Sequence, residues 1–176
     1  MREKNNKGFT MIEIILVIAI LALLSGVTVG VVSYIRYGNS EKCVAEIDAT
    51  LDKLQLEAMS KEVTPYMYLY GTDKGYYMIL SDSKDLNRVE LEAQGGTRLA
   101  NNALSVLITG MKMEVGGVTI MEAGTKDLKE LGFVRLGFKK STGAFLEGSY
   151  CESIAVTGKG ITTIYLVEGT GKHYVE

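Results

Sequence analysis

A chain of 176 residues, 47% hydrophobic and 23% charged, has room for one domain and a separate terminal segment, and its balance is that of a globular protein. The formal charge of −2 shows no basic excess of the kind a phosphate-binding surface carries, so nucleic acid is not an expected direct partner. Two cysteines, Cys43 and Cys151, are too few for a disulfide framework and form no C-x-x-C pair of zinc or redox type.

The chain opens with Met1-Arg2-Glu3-Lys4-Asn5-Asn6-Lys7-Gly8, three basic residues against one acidic, followed by Ile14 to Val32 with no charged side chain. That apolar run reaches the roughly 20 residues a helix needs to cross a bilayer. Arg36 ends the stretch, and Tyr34 and Tyr37 flank it as rings that favour the headgroup zone. The basic leader stays in the cytoplasm by the positive-inside tendency, so the domain after Arg36 faces outward. A secretory signal has a shorter core that ends in a small-x-small cleavage site, whereas this run is longer and has no A-x-A triplet. A plain single-pass anchor fits the length equally well, so the flank must decide.

The flank reads Lys7-Gly8-Phe9-Thr10-Met11-Ile12-Glu13. Glu13 stands beside the apolar run with no basic neighbour in sequence, and a carboxylate within a bilayer costs on the order of 2.5–3.5 kcal/mol, so a partner is expected. Cleavage between Gly8 and Phe9 supplies one. Glu13 then becomes the fifth residue, and the new ammonium lies one helical turn away or at matching depth on a neighbour.

Through its short basic leader, Gly8, Phe9, Glu13 and long apolar helix, the sequence resembles the type IV pilin and pseudopilin family, over about the first 37 residues. The resemblance implies cleavage after Gly8 by a prepilin peptidase, N-methylation of Phe9, and pairing of Glu13 with the terminal ammonium of an adjacent subunit. The leader and Phe9 resemble the group with short leaders. Many members carry a proline where this chain has Gly30. Gly26 and Gly30 loosen a helix less sharply, each by about 1 kcal/mol relative to alanine. They also form a G-x-x-x-G, which permits close helix packing, so helix flexibility and helix dimerisation both stand as roles.

Beyond the apolar run, Val44, Ile47, Leu51, Leu54 and Ala58 recur at helical spacing among charged residues, an amphipathic helix with one buried stripe. Continuous with the membrane segment, residues 10 to 62 make a rod of roughly 80 Å. Gly38-Asn39-Ser40 could instead end one helix and cap the next. After Pro65, short β-rich runs are expected at Tyr66–Tyr70, Tyr76–Leu80, Val118–Met121, Phe133–Phe138, Ile154–Val156 and Ile161–Val167, the first two joined by the hairpin loop Gly71–Gly75. A helix is read at residues 97 to 109, and another capped by Thr125 through Leu131. The expected fold is α+β: a long N-terminal helix, half membrane segment and half amphipathic, packed on an antiparallel β-sheet, as the pilin resemblance also implies. Its divisions are a leader over 1–8, a transmembrane and assembly helix over 9–37, its amphipathic continuation over 38–62, and a β-rich head over 63–176.

Nothing in the chain assembles a catalytic constellation. The single histidine, His173, stands three residues from the C-terminus, where a mobile tail is expected. Gly169-Thr170-Gly171-Lys172 and Gly158-Lys159-Gly160 read as turns, since neither fits a phosphate loop. Asp82 and Asp85 lack the alternation of a calcium loop, and no metal or cofactor is expected. Cys43 shares the face of Ile47 and Leu51, consistent with a buried thiol, while an outward location also permits a bridge to Cys151. The expected role is a major, shaft-type pilin, not an enzyme. It is held in the cytoplasmic membrane with its C-terminal domain outside, then polymerised into an extracellular pilus. Its partners are other pilin subunits, prepilin peptidase, the assembly machinery and the membrane; adhesion and motility are implied by resemblance alone. A pseudopilin of a secretion or DNA-uptake system is the alternative, with a single-pass ectodomain behind it. Loss of the leader leaves 16 basic and 20 acidic residues, a formal −4.

Overall fold

The structure of the chain, a computed structural model, describes residues 11–158 and 160–176, and within the first helix the side chains of residues 23–38 lie outside that description. Helix α1 is bounded by Met11 and Ser60, and Gly38-Asn39-Ser40 falls inside those bounds. The chain divides into two compact units, Met1–Ile35 and Arg36–Glu176.

In the second unit, α1 buries the stripe marked by its spacing. Cys43, Val44, Ile47, Leu51, Leu54 and Ala58 are all at most 3% exposed, because residues three and four apart fall on one helical face. Two antiparallel sheets complete the unit, where the sequence suggested one. The first comprises β1 (Tyr66–Thr72), β2 (Gly75–Ser81), β3 (Thr97–Ala100) and β6 (Phe133–Gly137), in the order β3-β2-β1-β6. The second comprises β4 (Ser105–Val115), β5 (Val118–Asp127), β7 (Ser149–Tyr150), β8 (Ser153–Thr157), β9 (Ile161–Val167) and β10 (Lys172–Val175). Its order is β10-β9-β8-β4-β5, with β7 also paired to β4. One core serves both: the helix stripe clusters with Met67, Leu69 and Leu136 of the first sheet and with Val106, Ile108, Ile154, Val156 and Ile164 of the second.

Turn chemistry sets the hairpins. β1 pairs with β2 from Tyr66↔Ser81 to Thr72↔Gly75, so Asp73 and Lys74 form the two-residue turn. Between β4 and β5, Gly116 and Gly117 take φ of 58° and 79°, the left-handed pair that a tight primed turn requires and that side chains resist.

Two expected helices are corrected. Residues 97–109 form β3 and the start of β4, with Val106 and Ile108 buried and Leu107 half-buried between them, the period of a strand paired on both sides. The cap of the short helix α3 (Leu128–Leu131) is Asp127, whose carboxylate accepts the Lys129 N–H at 2.8 Å. Thr125 lies on β5, where its hydroxyl meets that of its cross-strand partner Thr109 at 2.8 Å. Helix α2 (Arg88–Gln94) was not read from sequence. Asn87 Oδ1 accepts from Glu90 N at 3.0 Å while Asn87 N donates to Glu90 Oε2 at 2.9 Å, a reciprocal capping box.

Arg135, at the centre of β6, is 0% exposed and ties the two sheets together. Its Nε donates to Ser149 Oγ at 2.7 Å, and one terminal nitrogen donates to the carbonyls of Glu114 at 2.6 Å and Gly148 at 2.8 Å. The other reaches the Lys84 carbonyl. Neutral oxygens thus take up the guanidinium donors, which makes the burial of this charge tolerable.

Candidate assembly segment at the start of the first helix

Glu13 sits in the first turn of α1 and is exposed. A carboxylate there complements the partial positive charge of the helix start. Around it the surface is apolar on every side: Met11, Ile12, Ile14, Ile15, Leu16, Val17, Ile18, Ile20 and Leu21 are each 48–82% exposed. Because 3.6 residues make a turn, the consecutive residues Ile14 to Ile18 go fully round the axis and leave no polar face. A helix that is apolar all round calls for cover from lipid or from other protein. Among the described residues no helix is long and apolar enough to cross a membrane. The expected span, Ile14 to Val32, runs into residues 23–38, whose side chains lie outside the description.

Gly8 and Phe9, the expected cleavage pair and methylation site, lie outside the described residues, as do Gly26, Gly30, Tyr34 and Tyr37 for any side-chain or packing role. Cys43 and Cys151 are both described, both 0% exposed and both free thiols, so the bridge left open by the sequence is not formed. Burial, with Glu46 adding to it, pushes the Cys43 thiol up to about 12. Burial and Glu152 push Cys151 up as well. The thiolate is the reactive form in disulfide exchange, and an apolar core withholds it.

The C-terminus is not the mobile tail expected of it. β10 pairs with β9 over four residues, and the His173 side chain is only 6% exposed, with Nε2 at 3.5 Å from Asp48 Oδ1 and 3.3 Å from Asp52 Oδ1. Its Nδ1 is buried without a hydrogen-bond partner. These approaches set the last strand beside α1. The sequence offered one clue, the i,i+4 spacing of Asp48 and Asp52, but not the topology that brings residue 173 to them. Among the described residues no group of His, Cys, Asp and Glu side chains is placed to hold a metal ion, and Asp82 and Asp85 are exposed in the loop after β2.

Residues 4–29 match the prokaryotic N-terminal methylation motif. No curated protein and no solved structure matches the chain. The matched segment contains Gly8, Phe9 and Glu13 and runs through the opening turns of α1, apolar apart from Glu13 in its first turn. The N-terminal segment of the chain thus carries a type IV prepilin-like leader signature.

Proposed function

We propose that the chain is a structural subunit, a major shaft-type pilin, stored in the cytoplasmic membrane by the apolar half of α1 and polymerised outside the cell. The observation that carries this reading is the methylation motif lying over a helix start with apolar side chains on every face. Such a surface exchanges lipid for neighbouring helices with little change in apolar burial, which suits a subunit that moves from bilayer to filament core. In this reading prepilin peptidase cuts between Gly8 and Phe9, Phe9 is methylated, and Glu13 pairs with the Phe9 ammonium of a neighbour. Residues 9–37 then serve membrane storage and assembly, and residues 38–62 pack on the β-rich head, residues 63–176. The role is mechanical, with no catalytic step.

The test is the intact mass of the protein from its own cells together with imaging of the cell surface. The reading expects loss of residues 1–8, the added mass of a methyl group, and long surface filaments containing this chain. Short envelope-spanning fibres with the same processed mass would instead favour a pseudopilin. An unprocessed chain would leave a single-pass ectodomain protein and defeat the proposal.

A further inference from the structure

On the outer face of the first sheet, Tyr66, Tyr68 and Tyr70 occupy alternate positions of β1, and the hairpin register sets Tyr77 opposite Tyr70. The rings of Tyr70 and Tyr77 stack with centroids 5.4 Å apart and planes 17° from parallel. Tyr70 is 2% exposed and backs the pair, while Tyr77 is half-buried and carries the accessible ring. Helix α2 joins the tyrosine cluster on this face through Leu91. The chain after α2 returns so close that a Cβ on Gly96 would stand 2.5 Å from the Met78 carbonyl oxygen and 3.1 Å from the Tyr70 hydroxyl. A cleft of about 370 Å³ results, walled by the two rings, Gly96, Asp73, Lys74 and Glu92. That volume falls in the range of small-molecule sites, roughly 300–1,000 Å³.

The chemistry of the walls selects among ligands. Glu92 is held by Arg88, Nε to Oε1 at 2.9 Å, and Asp73 is followed directly by Lys74 at the exposed turn. The rim therefore offers hydrogen-bond acceptors and donors with balanced charge. A phosphate finds no net cation to offset its desolvation, and a quaternary ammonium finds no net anion. A sugar ring has the complementary shape: a flat face of C–H bonds for an aromatic platform and a rim of hydroxyls for carboxylate and ammonium groups. We infer that this cleft binds a neutral carbohydrate, with one sugar ring lying on Tyr77 and its hydroxyls donating to Asp73 and Glu92 and accepting from Lys74. The inference does not depend on filament assembly, since every residue of the cleft belongs to the head.

The experiment uses the full-length chain in micelles of a zwitterionic detergent without a sugar headgroup. Saturation-transfer NMR is recorded with the methyl glycosides of glucose, galactose and N-acetylglucosamine in turn. At least one glycoside should receive saturation mainly on the C–H bonds of one ring face, and neither choline nor inorganic phosphate should displace it. Tyr77→Ala should weaken binding by about tenfold or more, whereas Tyr77→Phe, which keeps the platform, should stay near the unsubstituted affinity. Asp73→Ala, at an exposed turn where folding is not at stake, should weaken binding and decides the matter if Tyr77→Ala fails to fold. Absence of transfer to all three glycosides, undiminished binding by Asp73→Ala or folded Tyr77→Ala, or displacement by choline or phosphate would each overturn the assignment.

Discussion

The two described stretches of α1 share a secondary structure and differ in where their apolar side chains go. From Met11 to Leu21 large apolar groups are exposed on all sides, whereas from Cys43 to Ala58 they form a single stripe that is at most 3% exposed beneath two sheets. The outer stretch carries charged residues on its remaining faces and covers its apolar face with its own chain. The first has no polar face to leave in water, so it calls for cover by lipid or by protein. One helix thus carries two kinds of instruction: how to fold a head, and what surroundings the subunit requires.

Placing the same charge on each stretch breaks the comparison most sharply. Leu51→Asp forces a carboxylate into the shared core and should unfold the head, a loss above about 4 kcal/mol. Leu16→Asp should leave the thermal unfolding of the head unchanged and instead impair membrane insertion. Circular dichroism melts of both proteins in micelles, with carbonate extraction from cells, measure the two effects. Equal melting of the two variants would mean that the stretches are not distinct in kind.

Arg135 sharpens the account of how the head closes over the helix. Arg135→Ala removes the guanidinium donors of the Lys84 and Glu114 carbonyls and also opens a cavity, and should cost roughly 3–5 kcal/mol, whereas Arg135→Met, which loses the same donors but fills the volume, should cost markedly less. Chemical denaturation of the two variants gives the difference. Equal losses would show that charge, and not volume and sheet contact, is what β6 needs from this position.

A smaller effect is expected from pH. The folded Cys43 thiol is raised from 9.0 to about 12, so as pH climbs through 9 the unfolded chain releases this proton first. Stability from the buried thiol is therefore complete below about pH 9 and declines toward pH 12. Denaturation midpoints between pH 8 and 11 should fall more steeply for the unsubstituted protein than for Cys43→Ala. Parallel curves would remove the thiol as a contributor. The smallest effect is at α2, where Asn87→Ala should cost about 1 kcal/mol through loss of the cap. A loss within error would make the capping box dispensable on this face.

Much of the fold could be read from local pattern. The α1 stripe followed helical spacing, and β1, β2, β6, β8 and β9 stood out as apolar runs bounded by turns. What failed was decided by distant pairing. Residues 97–109 hold Ala100, Leu104 and Ile108 at successive spacings of four that a helix could use, but β4 lies between β5 and β8, and those ladders settle its conformation. β5 extends past the expected end at Met121 to Asp127, through Thr125, where a helix cap was expected. Nothing in Phe133-Val134-Arg135-Leu136-Gly137 reveals the carbonyls converging on Arg135 from β4 and the Gly148 turn. The cleft beside Tyr70 and Tyr77 comes from Gly95 and Gly96, after a helix that local pattern did not show. At the assembly segment the motif was legible in full, because leader, Gly8, Phe9 and Glu13 are contiguous and need no tertiary information.

The most direct test of the claim that α1 starts as an assembly segment is filament yield from Glu13→Ala. An anchor needs no carboxylate there, and deleting one should leave insertion as good or slightly better. A filament subunit loses the partner of its neighbour's terminal ammonium, a break that can cost roughly 3–5 kcal/mol when buried. The expected result is a membrane-inserted, leader-cleaved subunit by mass spectrometry with few or no filaments by shearing and electron microscopy, and partial recovery when unsubstituted subunits are supplied. Filaments at the unsubstituted yield from Glu13→Ala alone would contradict the pairing of Glu13 with Phe9 and the assembly role built on it.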